Sequence, residues 1–230
     1  MRSPHPHISL TKQQHEVLTG LMLGDGSLHL NKKNRSVNAR LTVRRGIEDR
    51  DYLLWQHSFF RNFCSEKAIR EYSDYHKRAD KFYDGISFNT IAHPIFTEYH
   101  TTWYHNIKRV PSDLSLNQLL MLIWFLDDGH IERCRSDKLI IKLSTDGFAK
   151  DDVLFLCDLL RHRYGQKYTV YQNSHPKNSL QSGLRICGYG SSTEVIINDI
   201  REIYPYDLMA RKATWAQPYV PKIHSYDIKK

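Results

Sequence analysis

The sequence is poor in the features that hold small secreted domains together or anchor a chain in a membrane. It has four cysteines in 230 residues, and none of them belongs to a CxxC pair. A disulfide framework or a structural zinc site is therefore disfavoured, and reduced thiols in an intracellular protein are expected. The longest apolar run, residues 119–126, is much shorter than the ~20 residues of a membrane-spanning helix.

Targeting signals and negative charge are also scarce. We expect no signal or transit peptide at the first residues, which fits translation inside a mitochondrion or chloroplast, or in a prokaryote. Lys and Arg number 33 against 25 Asp and Glu, which gives a formal net charge of +8. This excess favours a polyanionic partner, with nucleic acid as the first candidate and an anionic membrane surface as the competing one. The short apolar run and the lack of a signal peptide favour no membrane association. The 13 histidines form neither an HExxH motif nor a zinc-finger spacing.

Two apolar segments end in the same way, at an Asp-Gly pair. Leu18–Leu28 reads LTGLMLGDGSL, and Leu119–Glu132 reads LLMLIWFLDDGHIE. The segments Thr11–Gln14 and Ser115–Gln118, at similar distances ahead of the two pairs, each predict a helix-starting capping box. A turn would explain a single Asp-Gly pair. The repeated spacing instead favours a duplicated structural unit.

The order of predicted elements after each of these helices is also the same. A hydrophilic loop, an alternating strand, an amphipathic helix, two more strands and a closing helix follow in both cases. The sequence therefore predicts an α+β fold of two αββαββα units with pseudo-two-fold symmetry. Residues 1–112 would form the N-terminal half and residues 113–230 the C-terminal half, each with an antiparallel sheet.

A lysine recurs at a matching distance from each Asp-Gly pair. Lys108 follows Asp25 by nearly the same number of residues as Lys212 follows Asp128. A lone lysine is usually a solvated surface charge. The matching offsets favour a functional interpretation for both.

The residues just described resemble the LAGLIDADG homing endonucleases. Leu18–Gly26 is similar to the signature nonapeptide of that family, and Met121–Gly129 (MLIWFLDDG) is similar to its second copy in the single-chain branch. The segments IKRVPSDL and YDLMARKATW resemble the lysine-bearing segments that close each half. The resemblance covers nearly the whole chain, and it implies a metal-dependent double-strand DNA endonuclease encoded in an intron or a similar mobile element.

Asp25 and Asp128 are the predicted catalytic residues and metal ligands. A carboxylate at a helix C-terminus opposes the helix dipole, and two that meet there repel each other; bound cations remove both penalties. Mg²⁺ needs only one or two protein carboxylates because phosphates and water complete its shell. We expect Mn²⁺ to substitute and Ca²⁺ to support binding only. The resemblance implies that Lys108 and Lys212 are catalytic too, neutralising phosphate charge or orienting the attacking water. Asp127 is expected to cap, pack or support the ligands, and a ligand role for it stays open.

The two apolar helices are expected to pack side by side and asymmetrically. Gly20 and Gly24 lie on one face of the first helix, and the opposing positions, Ile123 and Asp127, are larger. Other apolar residues of both helices are expected in the core, namely Val17, Leu21, Leu122, Trp124, Phe125 and Leu126.

The strands are expected to form the DNA-binding surface. In each half, alternation places basic and polar side chains on one face of a strand, and such a face can read base edges in the major groove. Strands of about ten residues would reach ~33 Å, or about ten base pairs per half-site. The predicted DNA-binding residues of the first half are Arg40, Thr42, Arg44, Lys32, Lys33 and Arg35. Those of the second half are Lys138, Lys142, Ser144, Lys177 and Arg185.

Three functions are compatible with the sequence. The first is an endonuclease that acts as a monomer on double-stranded DNA, with a long non-palindromic target because the two halves differ in sequence. The second is an RNA-binding maturase that assists intron splicing on the same scaffold without cleaving. The third is a basic DNA-binding repressor, which would need no metal. Retention of both acids and both lysines favours the nuclease.

Overall fold

A computed structural model describes residues 8–30, 37–134, 136, 138–175, 178–204 and 212. The elements of the N-terminal half, in chain order, are α1 (Lys12–Leu23), β1 (Ser27–Leu30), β2 (Ala39–Gly46), α2 (Arg50–Phe59), β3 (Ile69–His76), β4 (Lys81–Asn89) and α3 (Pro94–Trp103). A small ribbon follows, formed by β5 (Tyr104–His105) and β6 (Ile107–Lys108).

The C-terminal half repeats this order of elements. They are α4 (Gln118–Asp128), β7 (Gly129–Arg133), β8 (Leu139–Leu143), α5 (Lys150–Tyr164), β9 (Tyr168–Gln172), β10 (Leu184–Tyr189) and α6 (Ser191–Arg201). Two four-stranded antiparallel sheets result, with strand orders β1-β2-β4-β3 and β7-β8-β10-β9. The same strand order in both sheets confirms the predicted α+β fold of two αββαββα units.

The two start signals that were predicted alike turn out to differ. Thr11 forms the expected capping box with Gln14, and α1 begins at Lys12. The prediction at Ser115 is wrong, because α4 begins at Gln118 and its N-cap is Asn117, whose side chain accepts a hydrogen bond from the amide of Leu120. Asn caps a helix as well as Ser does, so the later residue can take the role. The Gln118 side chain is then free to donate to the backbone carbonyl of Asp199.

Helices α1 and α4 pack directly against each other along the faces that the sequence predicts. A Cβ built on Gly20 would lie 2.7 Å from Cβ of Ile123, and one built on Gly24 would lie 2.6 Å from Oδ2 of Asp127. The two glycines therefore let the helices approach closely, and side chains of α4 fill the space. This confirms the predicted asymmetric contact. The apolar residues assigned to the core are all buried, as Val17, Leu21, Leu122, Trp124, Phe125 and Leu126 show.

The strands of the second sheet are shorter than predicted. β2, β3 and β4 have eight or nine residues, whereas β7 to β10 have five or six. A five-residue strand extends only ~17 Å, so the estimate of about ten residues per strand is wrong for this half. As a consequence, Lys138 precedes β8 and Ser144 follows it. In the described part of the chain, no helix has the length and apolarity needed to cross a membrane.

Candidate active site

Asp25 is held in the turn that ends α1. The amide of Gly24 donates to the carbonyl of Gly20 at 3.0 Å, and the amide of Gly26 donates to that of Leu21 at 2.8 Å. These bonds end the helix, and they leave the Asp25 side chain accessible to solvent, with 48% of it exposed. Partial burial and the neighbouring Asp127 raise the pKa of Asp25, and an ion pair with Arg45 opposes the rise.

Asp128 is the last residue of α4, and its backbone carbonyl accepts a hydrogen bond from the amide of Ser144 at 3.0 Å. Burial raises the pKa of its carboxyl group to about 7, with further contributions from the charges of Asp25 and Asp127. Lys108 and Lys212 oppose this rise. Near neutral pH, the charged form of Asp128 is thus costly unless positive charge comes close to it.

Asp127 lies between the two halves, and its side chain is wholly buried, with 0% of it exposed. Oδ1 accepts hydrogen bonds from Arg45 at 2.6 Å and from the hydroxyl of Tyr52 at 2.9 Å, and Oδ2 accepts one from the backbone amide of Asp25 at 3.1 Å. A longer contact of 3.4 Å comes from Gln56. The carboxylate therefore packs against the end of α1 and caps its turn.

Arg45 is the residue of this site that the sequence analysis missed. It is 5% exposed by side chain and forms ion pairs with both Asp25 and Asp127. On β2 it alternates with Arg44 and so lies on the inward face, beside the buried Val43. An arginine at an inward position of an alternating strand was the available signal, because a charge is rarely buried there without a partner.

The two lysines make equivalent contacts. Nζ of Lys108 donates to the carbonyls of Gly24 and Gly26 at 3.1 and 3.0 Å. Nζ of Lys212 donates to the carbonyl of Gly129, the counterpart of Gly26, at 2.8 Å. The ammonium group of Lys108 thus lies at the C-terminal end of α1, and that of Lys212 lies at the C-terminal end of α4. Burial lowers the pKa of Lys108 to about 8, although the charges of Asp128, Asp127 and Asp25 act to raise it.

The first sheet presents a polar face on which the predicted residues align. Arg40 and Arg44 are exposed, and Thr42 bonds Asn89 across the sheet at 2.7 Å. Arg44 lies in register with Ser87, which pairs in turn with Arg70. Arg70 was not identified from the sequence, although the alternation in β3 places it on this face. Together with neighbouring side chains, these residues line a groove of about 740 Å³.

The second sheet carries a weaker basic face. Lys142 forms an ion pair with Glu132 at 2.6 Å, and Arg185 forms one with Asp146, also at 2.6 Å. Lys138 is exposed, and Ser144, which follows β8, lies with Lys108 and Asp128 around a cavity rather than on the sheet. The remaining predicted DNA-binding residues, Lys32, Lys33, Arg35 and Lys177, lie outside the described residues.

Asp25 and Asp128 are the side chains that could hold a divalent cation. No group of three or more His, Cys, Asp and Glu side chains forms a metal cluster within the residues that the structure describes. Two neighbouring carboxylates repel each other, and a bound cation relieves this repulsion. A hard cation suits the site because a substrate phosphate and water can supply its other ligands. The donor set therefore fits Mg²⁺.

A model of the LAGLIDADG DNA endonuclease family matches residues 15–186, and the chain belongs to this family. Cytochrome b mRNA maturase bI2 of Saccharomyces cerevisiae is 29% identical over 165 residues, which cover 67% of this chain and 37% of the maturase. DNA endonuclease I-ChuI of Chlamydomonas applanata is 24% identical over 186 residues, which cover 76% of this chain and 82% of that protein. The chain thus spans well under half the length of the maturase.

The structure is also similar to that of the homing endonuclease I-WcaI bound to its DNA recognition sequence. The TM-score is 0.72 at 18% identity, and the match covers 92% of this chain and 95% of I-WcaI. At this identity, the likeness establishes the fold.

Proposed function

We propose that this protein is a site-specific endonuclease that hydrolyses one phosphodiester in each strand of a DNA duplex. The observation that supports it is the duplicated constellation at the helix junction. Each half supplies one carboxylate, Asp25 or Asp128. Each half also supplies one lysine, Lys108 or Lys212, which donates to the carbonyl of the glycine that follows a carboxylate. A duplex has two scissile phosphates, and a pseudo-two-fold protein can serve both.

Asp25 and Asp128 would hold divalent cations, Mg²⁺ or Mn²⁺, and such a cation would activate water and stabilise the leaving oxygen. The protein side chains set the geometry of this chemistry. Asp127 and Arg45 fix the end of α1, so that the Asp25 carboxylate is oriented before DNA binds. Preorganisation of this kind avoids a reorganisation cost during the reaction.

The lysines would supply positive charge beside the phosphate. In Lys108 two of the three N–H donors of the ammonium group are directed at backbone carbonyls, which leaves one for the phosphate or the attacking water. A pKa of about 8 keeps this group mostly protonated at neutral pH, yet able to exchange a proton with the water or the leaving oxygen.

Recognition would come from the two sheets. The groove of the first sheet contains exposed arginines between hydrogen-bonding side chains, the combination that reads phosphates and base edges together. The second sheet differs, since Lys142 and Arg185 are each paired with an acid. Two unlike surfaces on one chain favour a long, asymmetric target bound by a monomer, with residues 1–112 and 113–230 each reading a half-site.

The similarity to the maturase bI2 supports a second function, an RNA-binding role in intron splicing without DNA cleavage. The two functions make different demands on the carboxylates. A splicing factor needs a basic surface but no metal-binding pair, so neutral substitution of Asp25 or Asp128 would leave its activity intact.

The deciding experiment is cleavage of a randomised duplex library with Mg²⁺, followed by sequencing of the ends. We expect one preferred non-palindromic site cut in both strands. Asp25→Asn and Asp128→Asn should each abolish double-strand cleavage while leaving binding to the selected duplex within a few-fold of wild type. Full cleavage by either folded variant would remove that residue from the site, and no cleavage by the wild-type protein would reject the nuclease assignment.

A further inference from the structure

The two catalytic carboxylates have unlike neighbours, although the halves are related by pseudo-symmetry. Gly26 and Gly129 are equivalent because each follows its carboxylate. Ser27 pairs with Thr42, and the equivalent His130 pairs with Lys142, so the next residues, Val43 and Leu143, are counterparts. Two residues further along the same inward face, Arg45 corresponds to Thr145. Thr145 is buried and donates its hydroxyl to the backbone carbonyl of Leu184 at 2.7 Å, where Arg45 donates to carboxylates.

The residue before each carboxylate differs in a complementary way. It is Gly24 in the first half and Asp127 in the second, and the Asp127 side chain fills the space that Gly24 leaves. Burying this carboxylate without a partner would be costly. Arg45 supplies the partner: Nη2 binds Asp127 at 2.6 Å, while Nη1 binds Oδ2 of Asp25. One guanidinium group thus binds the catalytic carboxylate of the first half, Asp25, and the buried carboxylate of the second half, Asp127.

We propose that Arg45 is a positioning residue, which fixes Asp25 through the buried anchor Asp127 and so makes the two halves of the catalytic site inequivalent. The proposal rests on the proposed endonuclease function. One oxygen of Asp25 is committed to Arg45, so this carboxylate would meet a cation mainly through its other oxygen. At Asp128 the positive charges that act on the carboxylate are instead those of Lys108 and Lys212.

The planar guanidinium is needed for this arrangement because it donates in two fixed directions. Arg45→Lys keeps the positive charge, but its shorter side chain and non-planar ammonium group cannot hold both carboxylates in the same geometry. Asp127→Asn keeps Arg45 and the shape of the anchor but removes its charge. The matched control is Thr145→Val, which alters the equivalent buried position of the second half and removes a hydrogen bond to a backbone carbonyl rather than to a carboxylate.

Strand-resolved cleavage of a duplex carrying the selected site provides the first test. We expect Arg45→Lys to slow the strand that depends on Asp25 by about tenfold or more, the value of a hydrogen bond to a charged group, with the other strand slowed much less. Asp127→Asn should change the ratio of the two strand cleavage rates in the same direction. Thr145→Val should lower the Tm and leave the ratio of the two strand cleavage rates unchanged. Equal slowing of both strands by Arg45→Lys would mean a purely structural role and overturn the proposal.

Binding of Mn²⁺ in the absence of DNA, followed by electron paramagnetic resonance, provides a test that does not depend on cleavage. In an Asp128→Asn background, where Asp25 remains, Arg45→Lys should weaken Mn²⁺ binding several-fold. In an Asp25→Asn background it should have no effect. An equal effect in both backgrounds, or none in either, overturns the proposal. If wild type binds Mn²⁺ with this pattern but cuts no duplex, the endonuclease function fails while the positioning role of Arg45 stands.

Discussion

The carboxylate of Asp127 occupies the space that the missing side chain of Gly24 leaves on α1. A Cβ on Gly24 would lie 2.6 Å from Oδ2 and 2.9 Å from Cγ of Asp127, which is much too close for atoms in contact. The Asp127 side chain cannot easily move away, because Arg45, Tyr52 and the amide of Asp25 all bind it. The helix interface and the position of the Asp25 carboxylate thus depend on the same pair of residues.

Gly24→Ala is therefore expected to destabilise the protein. Overpacking at a well-packed site costs about 1–3 kcal/mol, and here the displaced group is a buried charge with fixed partners. Urea unfolding followed by circular dichroism measures the change. Gly147→Ala is the control, since the nearest atom to a Cβ at Gly147 is 3.9 Å away. Equal stability of the two variants would show that α1 and α4 can separate at little cost.

The sequence predicted the repeated elements well because their signals are local. Apolar periodicity, Asp-Gly endings and the alternation in β2 are each contained within a few residues. Arg45 was missed because its role arises from a contact with Asp127, far away in sequence and in the other half. The start of α4 was misplaced because Ser115 and Asn117 are both good N-caps, and packing of the helix decides between them.

A pH dependence of stability is expected from Asp128 when no divalent cation is present. Its pKa of about 7 in the folded protein lies well above the ordinary carboxyl value, with burial as the largest cause. The folded state therefore holds this proton more tightly than the unfolded chain. The stabilising contribution is complete below about pH 4 and is lost as the pH rises through about 7.

In EDTA, the Tm of the wild-type protein should therefore fall between pH 6 and pH 8, and that of Asp128→Asn should fall less. Mg²⁺ should raise the wild-type Tm more at pH 8 than at pH 6, because a cation binds the ionised carboxylate. Differential scanning calorimetry at both pH values measures these shifts. Parallel curves for wild type and variant would show that Asp128 ionises freely in the folded protein.

Ca²⁺ is expected to support specific DNA binding without cleavage. It has the same preference for oxygen ligands as Mg²⁺, but it is larger and activates water less well. Binding in Ca²⁺ should also weaken steeply with salt, since a chain with a net charge of +8 is expected to make roughly six or more phosphate contacts. Fluorescence anisotropy of the selected duplex at several salt concentrations tests this. An affinity that does not change with salt would contradict the electrostatic contribution.

Substitution of the two lysines should affect the two DNA strands unequally. Lys108 and Lys212 bind equivalent backbone carbonyls, but the residues around them differ, and Asp128 is the acid with the largest influence on Lys108. Each lysine is thus expected to serve mainly one scissile phosphate. Removing a group that stabilises charge in the transition state typically costs on the order of 10²-fold. Lys108→Met and Lys212→Met should then slow opposite strands and accumulate nicked plasmid.

Supercoiled plasmid carrying the selected site, with a different label on each strand, allows both cuts to be followed in one reaction. Lys138→Met is a suitable control, because Lys138 is exposed and precedes β8, so its loss should weaken binding at most and leave the ratio of the two strand rates unchanged. The lysine variants should bind the duplex in Ca²⁺ as well as wild type does, which separates a loss of catalysis from a loss of affinity. If both variants slowed both strands by the same factor, the lysines would act only as caps of α1 and α4. Their matching positions would then reflect the duplicated fold alone.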